Sequence, residues 1–298
     1  MVQCSSLECY KLFIKSFTSW CNGKDSYSLS GESYLIILHF LIDLKTIGNH
    51  EFDDGVDGIV PFLETIKSPV VIANVDDTLE PSFQNKYKKS IVIEKYGRKI
   101  GIVGVIIADT PNSGGIKFLP EVESVRQEAA KLKSEGINII IVLSHCGLEI
   151  DRDIAQFGGS DIDIIVGGHS HSFLYSGENP PGPDRVVDNY PIVEIQDNGH
   201  KVLIVQASAY TKYLGDITLY FNDAGIIQDY DGKPIFMEHS IVPDAAIIEE
   251  LKPWKEPIDR LGNKFIANVK YDLSSRGCYS NECKMGNLIT DAFAYAVR

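Results

Sequence analysis

The sequence predicts an α/β fold built on a sheet that is buried on both faces. Short runs of β-branched and aliphatic residues recur between residues 69 and 166, and a stretch with helical spacing lies among them. Continuous apolar runs are typical of strands covered on both sides, since a strand with one solvated face alternates polar and apolar residues. With 298 residues, the chain is long enough for one large domain or two unequal ones.

The predicted elements follow one another regularly after residue 44. Before it no period is sustained, and an apolar segment at 34–42 fits a buried helix or a strand equally. The spacing of apolar residues between Val122 and Leu132 predicts a helix that Gly136 stops. The predicted strands are residues 69–75, 90–94, 99–108, 137–143 and 163–166, and the predicted helices are 121–135 and 151–157.

A second set of strands follows a predicted loop at residues 173–188, which is rich in Gly, Pro and Asp. Three closely spaced runs, joined by turns such as Asn198-Gly199, predict an antiparallel sheet after the α/β part. Residues 243–261 are helical in pattern, although Pro253 and Pro257 should interrupt the helix. The three runs are residues 190–195, 202–207 and 214–220, and the last predicted elements are a strand at 264–271 and a helix at 287–297.

Composition and charge narrow the functional classes. The formal charge of −13 argues against nucleic-acid polymers and anionic membranes as partners, since both need clustered Lys and Arg. The negative net charge does not argue against a small phosphorylated ligand, because a buried metal ion can dominate the local electrostatic field. No signal peptide is visible, and the segment at 34–42 is far shorter than the about 20 residues of a membrane span.

Three stretches that follow apolar runs carry the residues best suited to chemistry. They are Gly48–Gly55 (GNHEFDDG), Ser144–Gly147 (SHCG) and Gly167–His171 (GGHSH). Ligands of open α/β sheets gather outside the carboxyl ends of the strands, so we expect the stretches to meet around divalent metal and phosphate. A lone histidine is more often a packed residue than a ligand, and a purely structural role for the Gly-Gly-His-Ser-His loop also stays open.

The residue types suggest individual roles. Asn49 offers a neutral oxygen ligand, and His50 is placed to protonate or hydrogen-bond a phosphate oxygen. Asp53 would hold the other ring nitrogen of His50 and stabilise its charge. His169 and His171 would address one metal or two neighbouring metals from an extended segment. Taken alone, GNHEFD also fits an Asn-His turn followed by an acidic helix cap.

Together, GNHEFDDG, VLSHCGLEIDRDIA and DIIVGGHSHSFLYSG resemble motifs of the 5'-nucleotidase and apyrase family of dinuclear metallophosphoesterases. YPIVEIQDNGHKVLIVQASAYTKYLGDI and ECKMGNLITDAFAYAV extend the resemblance, which runs from about residue 45 to the end. It implies a four-layer α-β-β-α domain followed by a linker helix and a second α/β, substrate-binding domain. The implied divisions are an atypical N-terminal segment at 1–44, a metallophosphoesterase (calcineurin-like) domain at 45–240, a linker helix at 241–263 and the truncated start of a 5'-nucleotidase C-terminal domain at 264–298.

The resemblance also implies a metal site. Asn49, His145 and His169 match ligands of one metal, and His171 stands where a ligand of the other metal is expected. The cofactors implied are two divalent ions, Zn with Mn or Mg as alternatives, which clamp the attacking and leaving oxygens. Upstream of Gly48 the sequence departs from the pattern, because residues 1–47 contain neither the Asp-x-His nor the Gly-Asp strand end of the family. Those groups include the carboxylate that bridges the metals, so we expect incomplete metal occupancy and impaired hydrolysis.

Other residues acquire roles by the same resemblance. His50 and Asp53 match a dyad that stabilises charge on the transferring phosphoryl group. Cys278 and Cys283 match a local disulfide of animal members, which implies an extracellular or cell-surface location. The residues that bind the nucleotide base are expected beyond Arg298, and a homodimer through the C-terminal domain is a further option.

The leading interpretation is a 5'-nucleotidase, which releases phosphate from a nucleoside 5'-phosphate such as AMP. Apyrase action on ATP or ADP, or a cyclic-nucleotide or nucleotide-sugar phosphatase, is the alternative among enzymes. A non-catalytic nucleotide- or metal-binding relic of the fold is a second class. A dinucleotide-binding module is a weak third, because Gly101 and Gly104 lie inside a predicted strand and no G-x-G-x-x-G follows.

Overall fold

The computed structural model describes residues 10–16, 44–95, 97–275, 277–278 and 280–297. The predictions for the apolar segment at 34–42 and for most of the atypical segment at 1–44 lie outside the described residues. The chain divides into two compact units, Met1–Ile247 and Ile248–Arg298. No helix among the described residues is both long enough and apolar enough to cross a membrane.

Helices and strands alternate through the first unit. Its helices are α1 (Gly55–Thr65), α2 (Glu121–Ser134) and α3 (Leu148–Phe157), and a 3₁₀ turn spans Asn49–Phe52. Helix α4 (Ala245–Gly262) begins in the first unit and ends in the second, which also contains α5 (Lys284–Ala296). The strands are β1 (Tyr10–Ser16), β2 (Val75–Asp76), β3 (Ser90–Lys95), β4 (Arg98–Ile106), β5 (Lys117–Phe118), β6 (Ile140–His145), β7 (Ile164–Val166), β8 (Phe173–Leu174), β9 (Val186–Asp188), β10 (Ile192–Ile195), β11 (Lys201–Val205), β12 (Tyr213–Phe221), β13 (Ile227–Gly232) and β14 (Ile235–Phe236).

A six-stranded sheet organises this unit, and it confirms the predicted α/β fold. Its strand order is β10-β11-β7-β6-β4-β3. The four central strands run parallel, and β3 and β10 close the edges in the antiparallel sense. Most apolar residues of the four central strands are buried, as continuous apolar runs predict for strands covered on both faces.

A second, antiparallel sheet shares its core with the first. β12 pairs with β1, β13 and β14. Three residues of β12, Ile217, Leu219 and Phe221, belong to the same buried cluster as the central strands of the six-stranded sheet. Helix α2 contributes Val125 and Leu132 to that cluster, so helix and both sheets exclude water together.

The 3₁₀ turn at Asn49–Phe52 has an apolar anchor of its own. Phe52 is completely buried in a separate cluster with Ile59 of α1, Phe83 and Ile106. Its ring lies 5.6 Å from that of Phe118 in an edge-to-face contact, an arrangement that aromatic pairs favour. The anchor fixes the turn that carries Asn49 and His50.

Two of the three runs predicted as a separate antiparallel sheet belong to the central sheet instead. The hairpin between β10 and β11 forms as predicted, with Ile195 opposite Lys201. However, β11 also pairs in parallel with β7, where Leu203 faces Ile164. Only the third run, as β12, lies in the antiparallel sheet. Local patterns indicate the hairpin, whereas the partner on the other edge of β11 lies about 40 residues away and leaves no local signal.

Four other local predictions were wrong. Residues 69–75 form no continuous strand, since Val70 and Val71 make isolated bridges and β2 begins only at Val75. Residues 264–271 form no strand, and all of them are exposed, because an apolar run becomes a strand only where a partner covers it. Helix α4 continues through Pro253 and Pro257. The predicted loop at 173–188 contains β8 and β9, which pair with each other in parallel.

Candidate functional site

The site lies at the carboxyl edge of the parallel strands, where the sequence predicts that the histidine stretches meet. His145 is the last residue of β6, and Gly167 directly follows β7. Parallel strands bring these ends to the same edge of the sheet, next to the 3₁₀ turn that begins at Asn49.

Asn49, His145 and His169 converge on one point. Asn49 Oδ1 lies 3.0 Å from His145 Nε2 and 3.0 Å from His169 Nδ1. The two imidazole rings meet edge to face with centroids 5.2 Å apart. Ligand atoms that surround one ion at about 2.1 Å are themselves about 3.0–3.4 Å apart, so this trio fits a divalent metal.

Gly48 makes room for the His145 ring. A Cβ placed on Gly48 would lie 2.6 Å from His145 Nε2 and from His145 Cε1, closer than any normal contact. Any side chain at residue 48 would therefore push the imidazole away from Asn49. The backbone N–H of Gly48 donates to Glu51 Oε2 at 2.7 Å, which closes the turn.

His145 and His169 are biased toward the neutral form. Burial first, and then the charges of the neighbouring His169, His50 and His171, lower the pKa of His145 to about 3. Burial is also the main reason why the pKa of His169 is lowered, followed by the charges of His171 and His50. A neutral imidazole keeps a lone pair for a metal, whereas a protonated one has none to offer.

His50 and Asp53 lie together as predicted. His50 Nδ1 is 3.0 Å from Asp53 Oδ2 and 3.1 Å from Asp53 Oδ1. Both side chains are partly exposed, so the pair faces solvent beside the Asn49 trio. This contact leaves the Nε2 side of His50 directed away from Asp53.

His171 contacts the ring of Tyr210, with centroids 5.5 Å apart. Its pKa is lowered by burial first, and then by the charges of His50 and Lys212. Lys212 Nζ lies 5.8 Å from the Tyr210 ring centroid and 2.6 Å from a carboxylate oxygen of Asp184. His171 is thus close enough to the other three site histidines to interact with them electrostatically.

Two buried polar residues below the site were missed by the sequence analysis. Gln206 directly follows β11 and bonds to the loop that carries His169 and His171. Asp151 of α3 accepts a hydrogen bond from Ser144 Oγ at 2.5 Å, while its Oδ2 has no partner among the described residues. Burial raises the pKa of Asp151 to about 7. The one available signal is at Gln206, which follows the apolar run of β11, whereas Asp151 stands among charged residues of α3 and has no such signal.

The donor set is poor in carboxylates. Within the described parts of the chain, no three His, Cys, Asp or Glu side chains come together as one metal site. The converging trio consists of one amide and two imidazoles. Five acidic or histidine residues precede Gly48, and all of them lie outside the described residues. They are Glu8, Asp25, Glu32, His39 and Asp43.

The described cysteines fall into two groups. Cys278 and Cys283 form a disulfide with Cα atoms 5.2 Å apart. Cys146, next to His145, is free and buried, and burial raises the pKa of its thiol well above the usual value. A buried thiol with a raised pKa is a poor nucleophile, so Cys146 packs rather than reacts.

Comparisons with known proteins show which families the chain resembles. The calcineurin-like phosphoesterase family matches residues 26–173. An apyrase of Tabanus yao is 50% identical over 257 residues, which cover 85% of this chain and 46% of the apyrase. A 5'-nucleotidase of Rattus norvegicus is 37% identical over 271 residues, covering 87% of this chain and 47% of its own length.

Solved structures give the same result. The 5'-nucleotidase precursor from Thermus thermophilus has a TM-score of 0.80 and 31% identity, over 90% of this chain and 54% of its own. The chain thus spans about half the length of the relatives it matches.

Proposed function

We propose that this chain, which belongs to the calcineurin-like phosphoesterase family, is a nucleotide phosphohydrolase that uses divalent metal ions. Members of this family that are similar to the chain are named apyrase and 5'-nucleotidase.

One observation carries the proposal. The amide oxygen of Asn49 lies 3.0 Å from a ring nitrogen of each of two histidines that come from different strand ends. Burial lowers the pKa of both histidines and so favours the neutral form that metal ligands need. We assign Asn49, His145 and His169 as ligands of one divalent ion and His171 as a ligand of a second, with zinc as the leading identity.

The chemistry follows from the positions of these residues. When bound, divalent ions act as Lewis acids toward phosphoryl oxygens and lower the pKa of a water molecule. Hydrolysis forms a bond from the water oxygen to phosphorus, breaks the bond to the leaving oxygen, and delivers a proton to that oxygen. Asp53 holds His50 through Nδ1, so that Nε2 is the ring nitrogen that stabilises or protonates an oxygen of the phosphoryl group.

The preferred substrate is a nucleoside 5'-phosphate such as AMP, with ATP or ADP as the alternative. We further propose that hydrolysis by this chain is slow, because the converging donors are all neutral and none of the three is a bridging carboxylate. The same observation favours a second candidate function, a protein that binds metal and nucleotide without turnover.

The proposal also covers the cellular location of the protein and the role of its second unit. The disulfide between Cys278 and Cys283 supports an extracellular or cell-surface site of action, because disulfides persist in oxidising compartments. Residues 264–298 are proposed to begin a C-terminal domain after a linker helix at 241–263. Apolar residues of α5 such as Leu288 and Phe293 are exposed, as expected for an element that packs against further chain.

The test measures phosphate release from AMP, ADP and ATP by metal-stripped protein before and after addition of Zn²⁺ or Mn²⁺. His145→Ala should lose both metal and turnover. His200→Ala is the matched control, since His200 bonds to Ile162 O at the opposite end of the strands. Metal binding without phosphate release would select the second candidate, and the absence of both would refute the proposal.

A further inference from the structure

The loop from Gly168 to Ser172 carries two histidines in a left-handed backbone conformation that is uncommon outside glycine, and not in the extended conformation that the sequence predicted. His169 has φ of +71° and His171 has φ of +53°, both in the left-handed region. Such conformations persist only where the surrounding structure holds them. A neighbouring group must therefore hold this loop.

Gln206 bonds to the loop on either side of each histidine. It is completely buried directly after β11. Its Nε2 donates to Gly168 O at 3.2 Å, and its Oε1 accepts from Ser170 Oγ at 3.1 Å and from Ser172 N at 2.5 Å. These contacts lie before, between and after the two histidines.

A carboxamide suits this task because it offers a donor and an acceptor from one rigid group. An apolar side chain of similar length would fill the same space but leave the buried Ser172 N–H without its acceptor. The loop would then lose the contacts that oppose its strain, and both imidazoles would reorient.

We propose that Gln206 is a positioning residue that holds His169 and His171 in the orientation needed to bind a divalent metal. The inference rests on the proposed function, since it takes the histidines as metal ligands. Gln206 touches neither metal nor substrate and acts through the loop backbone. Residues that orient metal ligands in this way change metal affinity by about 10- to 100-fold when they are replaced.

The test titrates Zn²⁺ into metal-stripped full-length protein by calorimetry for wild type, Gln206→Met and Gln196→Met. Gln196 is the matched control, because it is also a buried amide and donates to Ala155 O at 2.7 Å and Gly159 O at 3.0 Å. It lies at the opposite end of the β10–β11 pair from Gln206. Both substitutions should lower the unfolding temperature, whereas only Gln206→Met should weaken Zn²⁺ binding, by about 10- to 100-fold. Equal affinities in the two variants would overturn the inference.

A metal-free measurement separates this inference from the proposed function. Hydrogen exchange of the Ser172 amide should be at least about tenfold faster in Gln206→Met than in wild type, because its acceptor is gone. If wild type binds no Zn²⁺, the proposed function fails. Unchanged hydrogen exchange at Ser172 in Gln206→Met would overturn the role of Gln206, whether or not the chain binds Zn²⁺.

If Gln206→Met does not fold, Gln206→Glu replaces it, since this side chain keeps the acceptor for Ser172 and loses the donor to Gly168. Gln206→Glu should bind Zn²⁺ more weakly than wild type, and an unchanged affinity would contradict the inference.

Discussion

The imidazole of His145 lies directly over Gly48, so that a Cβ at residue 48 would come within 2.6 Å of His145 Nε2. The two residues are 97 positions apart in the sequence and meet because the 3₁₀ turn reaches the end of β6. The glycine thus serves the site as well as the turn, since it lets the His145 ring approach Asn49.

The first prediction concerns Gly48→Ala. The added methyl group should displace the His145 ring from Asn49 and weaken Zn²⁺ binding by about 10- to 100-fold, as measured by calorimetry. Gly262→Ala is the control, because a Cβ there meets no atom within 4 Å. Unchanged affinity in Gly48→Ala would show that His145 binds no metal in this orientation.

The second prediction separates the His50–Asp53 pair from the metal ligands. His50→Ala should lower phosphate release by about 100-fold or more while the bound metal per chain stays at the wild-type value, because His50 is assigned to the phosphoryl group. Asp53→Asn should lower release less, since it only weakens the support of the His50 ring. A His50→Ala variant with wild-type turnover would remove the dyad from the mechanism. Loss of metal in that variant would instead make His50 a ligand.

A third prediction addresses the anchor of the turn. Phe52→Ala empties a completely buried position between Phe83 and Phe118 and should lower the free energy of unfolding by about 3–5 kcal/mol in urea titrations. Phe157→Ala, at a side chain that is 59% exposed, should change it by less than about 1 kcal/mol. Similar losses in the two variants would contradict the anchoring role of Phe52.

The central strands and the meeting of the histidine stretches could be predicted from the sequence for a physical reason. Strands buried on both faces must be apolar throughout, so runs such as Ile140–Leu143 can be recognised as strands from the local sequence. Once such strands are parallel, their carboxyl ends share one edge, which brings His145 and His169 together.

The supporting residues could not be predicted in the same way. Gln206 bonds to residues that precede it by 34 to 38 positions, and nothing in its local sequence marks those partners. The pairing of β11 with β7 could not be predicted for the same reason, since the two strands are distant in the sequence. Conversely, Phe265 and Ile266 belong to a run whose pattern predicts a strand, but both side chains are exposed and no strand forms. Strand formation depends on a pairing partner, which a local pattern does not specify.

The fourth prediction is a dependence of stability on pH. Burial raises the pKa of Asp151 to about 7 in the folded chain, above its ordinary value of 3.8. The folded chain therefore binds this proton more tightly than the unfolded chain, so the contribution of Asp151 to stability should be lost as the pH rises from about 4 through about 7. Asp163, with a pKa raised by burial to about 8, contributes in the same direction.

Urea unfolding at pH 5 and pH 8 measures this effect. The loss of stability between the two values should be smaller in Asp151→Asn than in wild type, by an amount on the order of a few kcal/mol. Asp153→Asn, at an exposed position of the same helix, should retain the wild-type loss. An identical loss in wild type and Asp151→Asn would show that Asp151 is not protonated in the folded chain.

Anomalous diffraction from crystals of the full chain soaked in Zn²⁺ tests the central assignment most directly. We predict a zinc peak within about 2.0–2.2 Å of Asn49 Oδ1, His145 Nε2 and His169 Nδ1. A map at saturating zinc with no peak among these three atoms would contradict the assignment of this site as a metal centre.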